Sequence, residues 1–152
     1  MIKKVTSKKD KEYIADLILK DLPEWFGLED SRKDYIKKSV DRPFFAYYID
    51  ERPVGFIVFK KTSEDSGEIY VMGVLKDYHG KKIGSKLVET LENYAIEENY
   101  TFLQVKTVEK GHYREYDLTN DFYHKMGFKD LECFPSLWDE WNPCQILIKF
   151  LD

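Results

Sequence analysis

The chain has no surplus of basic residues: 24 lysines and arginines stand against 28 acids, for a net charge of -4. With no global positive field, nucleic acid and anionic membranes are excluded as primary partners. Cysteine is scarce too. Cys133 and Cys144 are too few for a zinc quartet or a disulfide framework, and neither has a histidine at ligand spacing, so both read as reduced packing residues. His79, His112 and His124 are scattered, no HExxH pair occurs, and no metal is implied. No apolar run reaches the ~18 residues of a membrane span, and the start, Met1-Ile2-Lys3-Lys4-Val5-Thr6-Ser7-Lys8, lacks an apolar signal core. The expectation is a cytoplasmic protein.

What is present fits one soluble domain over residues 1–152. Hydrophobic residues make up 43% and charged residues 34%, enough for a core and unlike a disordered chain. Helical spacing predicts helices over Asp10–Leu22, Asp30–Val40, Lys82–Glu98 and Leu118–Met126. Aromatic and β-branched runs predict strands at Phe44–Ile49 and Val54–Phe59, flanking a turn at residues 50–53. Further strands are predicted at Gly67–Val74, Phe102–Val108, Phe128–Cys133 and Gln145–Leu151. This order predicts an α+β fold, a mixed sheet with helices on both faces.

The most informative stretch lies between a strand and a helix: Lys76-Asp77-Tyr78-His79-Gly80-Lys81-Lys82-Ile83-Gly84-Ser85-Lys86. The first helical NH groups have no intrahelical partner and the helix dipole favours negative charge there, so a strand, a glycine turn and a helix start make an anion-binding device. The Walker pattern fails, because no Gly-Lys-Ser or Gly-Lys-Thr occurs. The dinucleotide pattern fails as well, because Lys82 sits where its second glycine belongs. A diphosphate turn ringed by Lys76, Lys81, Lys82 and Lys86 remains; the alternative is a solvated helix start.

The run His79-Gly80-Lys81-Lys82-Ile83-Gly84 resembles the acyl-CoA loop of the GCN5-related N-acetyltransferases (GNAT), whose pattern is Gln or Arg, two residues, Gly, one residue, then Gly or Ala. His79 replaces the Arg or Gln, and Lys82 replaces the middle glycine. Downstream, Phe122-Tyr123-His124-Lys125-Met126-Gly127-Phe128 resembles the family's Leu-Tyr-x-x-x-Gly-Phe. The resemblance implies a mixed, mostly antiparallel twisted sheet of six to seven strands. It also implies acetyl-CoA as acyl donor, held by Met72, Gly73 and Val74 of the strand and by His79, Gly80, Lys81, Lys82, Ile83, Gly84 and Ser85 of the loop. The asparagine that often precedes the family's tyrosine by seven residues is replaced here by Tyr116, and Asn120 is out of register.

Direct acetyl transfer to a primary amine of a small molecule or peptide needs a base and an acid. An amine of pKa ~10.4 is neutral in roughly one molecule in 2,500 at pH 7, a deficit of about 4.6 kcal/mol that a base helps to overcome. By the resemblance, Glu68 is the candidate base, with an ordered water chain or a plain strand-end glutamate as alternatives. Tyr123 is the candidate acid for the departing thiolate; otherwise it is a buried helix tyrosine.

Two aromatic segments are candidates for the acceptor site, one containing Trp25 and Phe26, the other Trp138 and Trp141. Tryptophan faces attract cations, which suggests a small cationic amine, while the same rings equally suit a core cap or a homodimer contact. Residues Lys110 to Asp117 read as a lid or a loop. A second functional reading is a noncatalytic acyl-CoA sensor or partner-binding domain.

Overall fold

The computed structural model describes residues 1–152. Its strands form one seven-stranded sheet in the order β1-β2-β3-β4-β5-β7-β6. By internal contacts the chain divides into two compact units, Met1–Lys60 with Ile69–Tyr94, and Lys61–Glu68 with Ala95–Asp152. The chain order is β1 (Ile2–Val5), α1 (Lys8–Lys20), α2 (Glu29–Ser39), β2 (Phe44–Ile49), β3 (Arg52–Lys61), β4 (Ser66–Val74), α3 (Ile83–Glu97), β5 (Phe102–Val108), α4 (Arg114–Lys125), β6 (Lys129–Asp139) and β7 (Asn142–Phe150).

In the first unit, β1 and β3 pair antiparallel on either side of β2. Alternation along β3 sorts its side chains. Phe56 and Val58 join Phe44, Ala46 and the apolar stripe of α1, Ile14, Ile18 and Leu19, in one buried cluster. Gly55 faces the other way, where an added Cβ would meet Leu87 and Ile83 of α3 at 3.1 and 3.2 Å. Phe45 and Phe59 set their rings against Tyr94 of α3. Helices thus cover both faces. Ser7 starts α1 by accepting the Asp10 amide at 3.3 Å. Residues 50–53 are not a four-residue turn: Asp50 and Glu51, at φ 50° and 65°, make a two-residue turn of the primed kind, and Arg52 and Pro53 already belong to β3. Strand β1 has no counterpart among the predicted elements.

In the second unit, β7 pairs antiparallel with both β5 and β6. Helix α4 starts at Arg114 rather than Leu118. Half of the expected lid is therefore helix. The remainder is tied to it, the Gly111 amide donating to Asp117 at 2.7 Å and Lys110 pairing with Asp121 at 2.7 Å. The segment after Cys133 is likewise not an aromatic loop. β6 runs on to Asp139, whose carboxylate accepts the Trp141 and Asn142 amides at 2.8 and 2.9 Å and closes a hairpin. Pro135 disguises the strand but is tolerated there, because β6 is the edge of the sheet. No helix is long and apolar enough to cross a membrane.

Candidate functional site

The loop between β4 and α3 joins a buried strand end to a helix start through two left-handed residues. After Val74 the Leu75 amide still donates to Val54 at 2.9 Å, and Lys76–Tyr78 then turn once as a 3-10 helix. Gly80 has φ 77° and Lys82 has φ 63°, so the residue replacing the family's middle glycine adopts the left-handed conformation that glycine adopts freely. That turn redirects the chain into α3, whose first helical bond runs from the Lys86 amide to the Lys82 carbonyl at 3.1 Å. The amides of Ile83, Gly84 and Ser85 precede it and have no intrahelical acceptor. No acidic residue stands in the first turn. The helix end is electropositive without competition, an effect worth about 0.3–1 kcal/mol per charge at a surface.

Two loop side chains depart from expectation. Lys76 does not join the lysine ring: its ammonium pairs with Glu24, and its amide donates to Asp21 at 2.7 Å. His79 Nε2 lies 2.6 Å from the Val74 carbonyl oxygen, so this ring braces the loop against β4. Lys81 and Lys86 lie within 6 Å of tyrosine rings, over Tyr78 and Tyr47 at 5.8 and 5.9 Å, and form no ion pair. Met72 is half-buried, while Gly73 and Val74 are buried at the end of β4. Gly73 serves packing, since a Cβ there would sit 2.9 Å from Leu22 and 3.0 Å from Ile18.

Trp25 and Phe26 are half-buried and pack on the α1–α2 core rather than standing free. Trp25 meets the His79 ring edge-on at 6.3 Å, and Phe26 meets Tyr35 at 5.8 Å.

The other candidates belong to the second unit. Glu68 is 4% exposed and receives a bond from Lys106 Nζ at 3.3 Å, so it is a buried carboxylate with a cation beside it and not a solvent-facing strand end. Tyr123 is 5% exposed, and the Phe122 and Phe128 rings meet it edge-on at 5.2 and 5.6 Å. Burial holds its phenol well above the ordinary range. Asn120 spends its side-chain amide on the Val108 and Tyr116 carbonyls, at 2.9 and 2.7 Å, pinning α4 to the end of β5. Trp138 lies in β6 and Trp141 in the hairpin turn, 42% and 72% exposed. Buried Cys144 is pushed up to about 11 by desolvation, which leaves it an unreactive thiol.

Lys106 and Arg42 were not among the sequence candidates. Lys106 had a readable signal, a lysine within the apolar run of β5. Arg42, at the Asp-Arg-Pro break before β2, had none. Its guanidinium stacks 4.1 Å from the centre of the Tyr70 ring.

The sequence model of the acetyltransferase (GNAT) family matches residues 11–128. An uncharacterized N-acetyltransferase of Methanocaldococcus jannaschii is 30% identical over 109 residues, covering 70% of this chain and 65% of that protein. The chain thus matches just under two-thirds of that relative's length. Among solved structures, a GNAT-family protein from Desulfovibrio desulfuricans superposes with a TM-score of 0.86 at 13% identity, covering 100% of this chain and 99% of that one. An aminoglycoside 6'-N-acetyltransferase in complex with coenzyme A gives 0.78 at 18% identity, covering 100% and 97%. At these identities the structural likeness speaks for the fold, while the match across most of the sequence decides the kinship. This chain belongs to the acetyltransferase (GNAT) family, whose members take their acyl group from acyl-CoA.

Proposed function

We propose that this protein is an acetyl-CoA-dependent N-acetyltransferase, one catalytic domain over residues 1–152, that moves an acetyl group directly to a primary amine. The observation that carries the reading is the left-handed turn at Gly80 and Lys82. It opens the amides of Ile83, Gly84 and Ser85 at the start of a helix with no acid in its first turn. These groups fit a diphosphate, and the backbone of Met72 to Val74 would hold the rest of the donor and polarise its thioester carbonyl. Acetyl-CoA supplies the activated acyl carbon.

The protein's own groups then handle protons. Glu68, beside Lys106, takes the proton that the acceptor ammonium must lose before its nitrogen attacks. Tyr123, held neutral by burial, gives its proton to the departing thiolate sulfur. The N–C bond forms as the C–S bond breaks, and no covalent enzyme intermediate is needed. Burial keeps this phenol protonated until the sulfur departs, and the second proton that the nitrogen sheds as the amide forms restores it. The aromatic side chains Trp25, Phe26, Trp138 and Trp141 are the proposed contacts for the acceptor.

Calorimetric titration with acetyl-CoA, against ATP and NAD, tests the donor. Micromolar, salt-sensitive binding of acetyl-CoA alone is expected, followed by amine-dependent thiol release. Equal binding of ATP would move the reading to a nucleotide module, and tight acetyl-CoA binding without transfer to any amine would favour a sensor. Glu68→Gln should shift the pH dependence of kcat/KM; an unchanged profile would remove Glu68 as base.

A further inference from the structure

The first unit carries a guanidinium with one nitrogen that the chain leaves unsatisfied. Arg42 Nη1 is buried and meets no hydrogen-bond acceptor, and Arg42 forms no ion pair. A buried N–H without a partner is costly, and more so when it belongs to a charged group. Yet the site is held firmly. Lys11, itself buried, donates to the Val40 and Arg42 carbonyls at 3.2 and 2.8 Å, fixing the chain on both sides of Asp41. The guanidinium carbon lies 4.1 Å from the centre of the Tyr70 ring, which also packs against Tyr35 at 5.3 Å. A cation fixed this way, with Nη1 left without an acceptor, suits recognition of an anion.

Charge around the ring points the same way. Lys60 Nζ stands 5.8 Å from the Tyr70 centroid. Of the acids nearby, Asp34 is paired with Lys38 at 3.0 Å and Asp41 with Lys8 at 2.9 Å. No ion pair engages Arg42 or Lys60, and the Tyr70 ring already holds both cations. A purely cationic acceptor is disfavoured at this spot. Tyr70 precedes Met72 by two strand positions, a span of roughly 7 Å, so one short molecule can reach from this anion site to the end of β4.

Building on the acetyltransferase reading, we infer that the acceptor amine also carries a carboxylate, bound by Arg42 with support from Lys60, so that the substrate class is amino acids with a short spacer between the two groups.

The test uses linear ω-amino acids of two to six carbons, each beside its own carboxamide, with the native protein, Arg42→Gln and Arg42→Lys. Thiol release from acetyl-CoA gives kcat/KM, and calorimetry of each probe gives affinity. At least one acid should exceed its amide by more than about tenfold in kcat/KM, since a charge-assisted hydrogen bond is at stake. That ratio should fall to about one in Arg42→Gln and lie between in Arg42→Lys, with acetyl-CoA affinity unchanged. An acid-to-amide ratio near one in the native protein, or a ratio that survives in Arg42→Gln, overturns the inference. If acetyl-CoA fails to bind, the acetyltransferase reading falls, and calorimetric preference for acid over amide, lost in Arg42→Gln, still decides the anion site. If acetyl-CoA binds and no amine turns over, the same binding comparison on the acetyl-CoA-loaded protein decides it.

Discussion

His79 and Val74 are joined across the loop by a 2.6 Å contact from the imidazole Nε2 to the main-chain carbonyl. A carbonyl only accepts, so Nε2 carries the proton, as it does both in one neutral tautomer and in the imidazolium. The residue that replaces the family's Arg or Gln is thus a brace from the loop to the strand that precedes it. Removing it should loosen the turn before any phosphate is touched.

His79→Ala is therefore expected to weaken acetyl-CoA binding about fivefold, the worth of one net hydrogen bond of ~1 kcal/mol. The slope of affinity against salt should stay as in the native protein. Lys81→Ala and Lys86→Ala should reduce that slope, because they remove charge that ions screen. Calorimetry at three salt concentrations separates the cases; a His79→Ala slope as shallow as that of the lysine variants would mean that the ring contacts phosphate directly.

Lys82 sits at φ 63°, where an L-residue carries roughly 1–2 kcal/mol of strain. Glycine removes the strain but adds freedom to the unfolded chain, about 0.4–1 kcal/mol. Lys82→Gly should leave stability unchanged or raise it by up to ~1 kcal/mol. Lys82→Val should lower it by more than about 1 kcal/mol, because a branched Cβ tolerates this conformation least. Denaturant unfolding measures both, and equal destabilisation by the two would show that the lysine side chain, not the backbone angle, holds the turn.

Much of this was legible from local pattern. Periodic apolar residues located α1 and α3 to within two residues, because each buries one apolar stripe. The turn between β4 and α3 was readable because glycines and a helix start are local features. What escaped depends on partners distant in sequence. β1 is a short, mostly polar strand defined by its pairing with β2. The extended β6–β7 hairpin hides behind Pro135 and an exposed tip. Arg42 acquires its meaning only from Tyr70, and Lys76 loses its expected one to Glu24.

Gly73 gives a test of how tightly α1 sits on β4. A methyl group there would come within 3.0 Å of two buried side chains, Leu22 and Ile18, which are 3% and 0% exposed. Gly73→Ala should cost about 1–3 kcal/mol through overpacking, a loss of several degrees in Tm for a chain of this size. Shortening the obstacle in Gly73→Ala/Leu22→Ala should make the double variant lose less than the two single losses add up to, a coupling readable in a double-mutant cycle. Strict additivity would place the strain elsewhere.

Tyr123 is buried in α4 between the Phe122 and Phe128 rings. Tyr123→Phe should lower kcat about a hundredfold or more, with acetyl-CoA affinity nearly unchanged, if the phenol protonates the leaving thiolate. Equal loss of both would make the residue a packing group. Its raised pKa adds an independent signature. With the folded pKa above the unfolded value of ~10, the native state keeps a proton that the unfolded chain releases as pH climbs past ~10, so stability falls in that window. Below pH 10 both states are protonated and the effect vanishes. Unfolding measured from pH 8 to 11 should therefore decline less steeply in Tyr123→Phe than in the native protein. Identical slopes would mean that the phenol meets water readily in the folded chain, and would weaken the case for a proton kept in place for the sulfur.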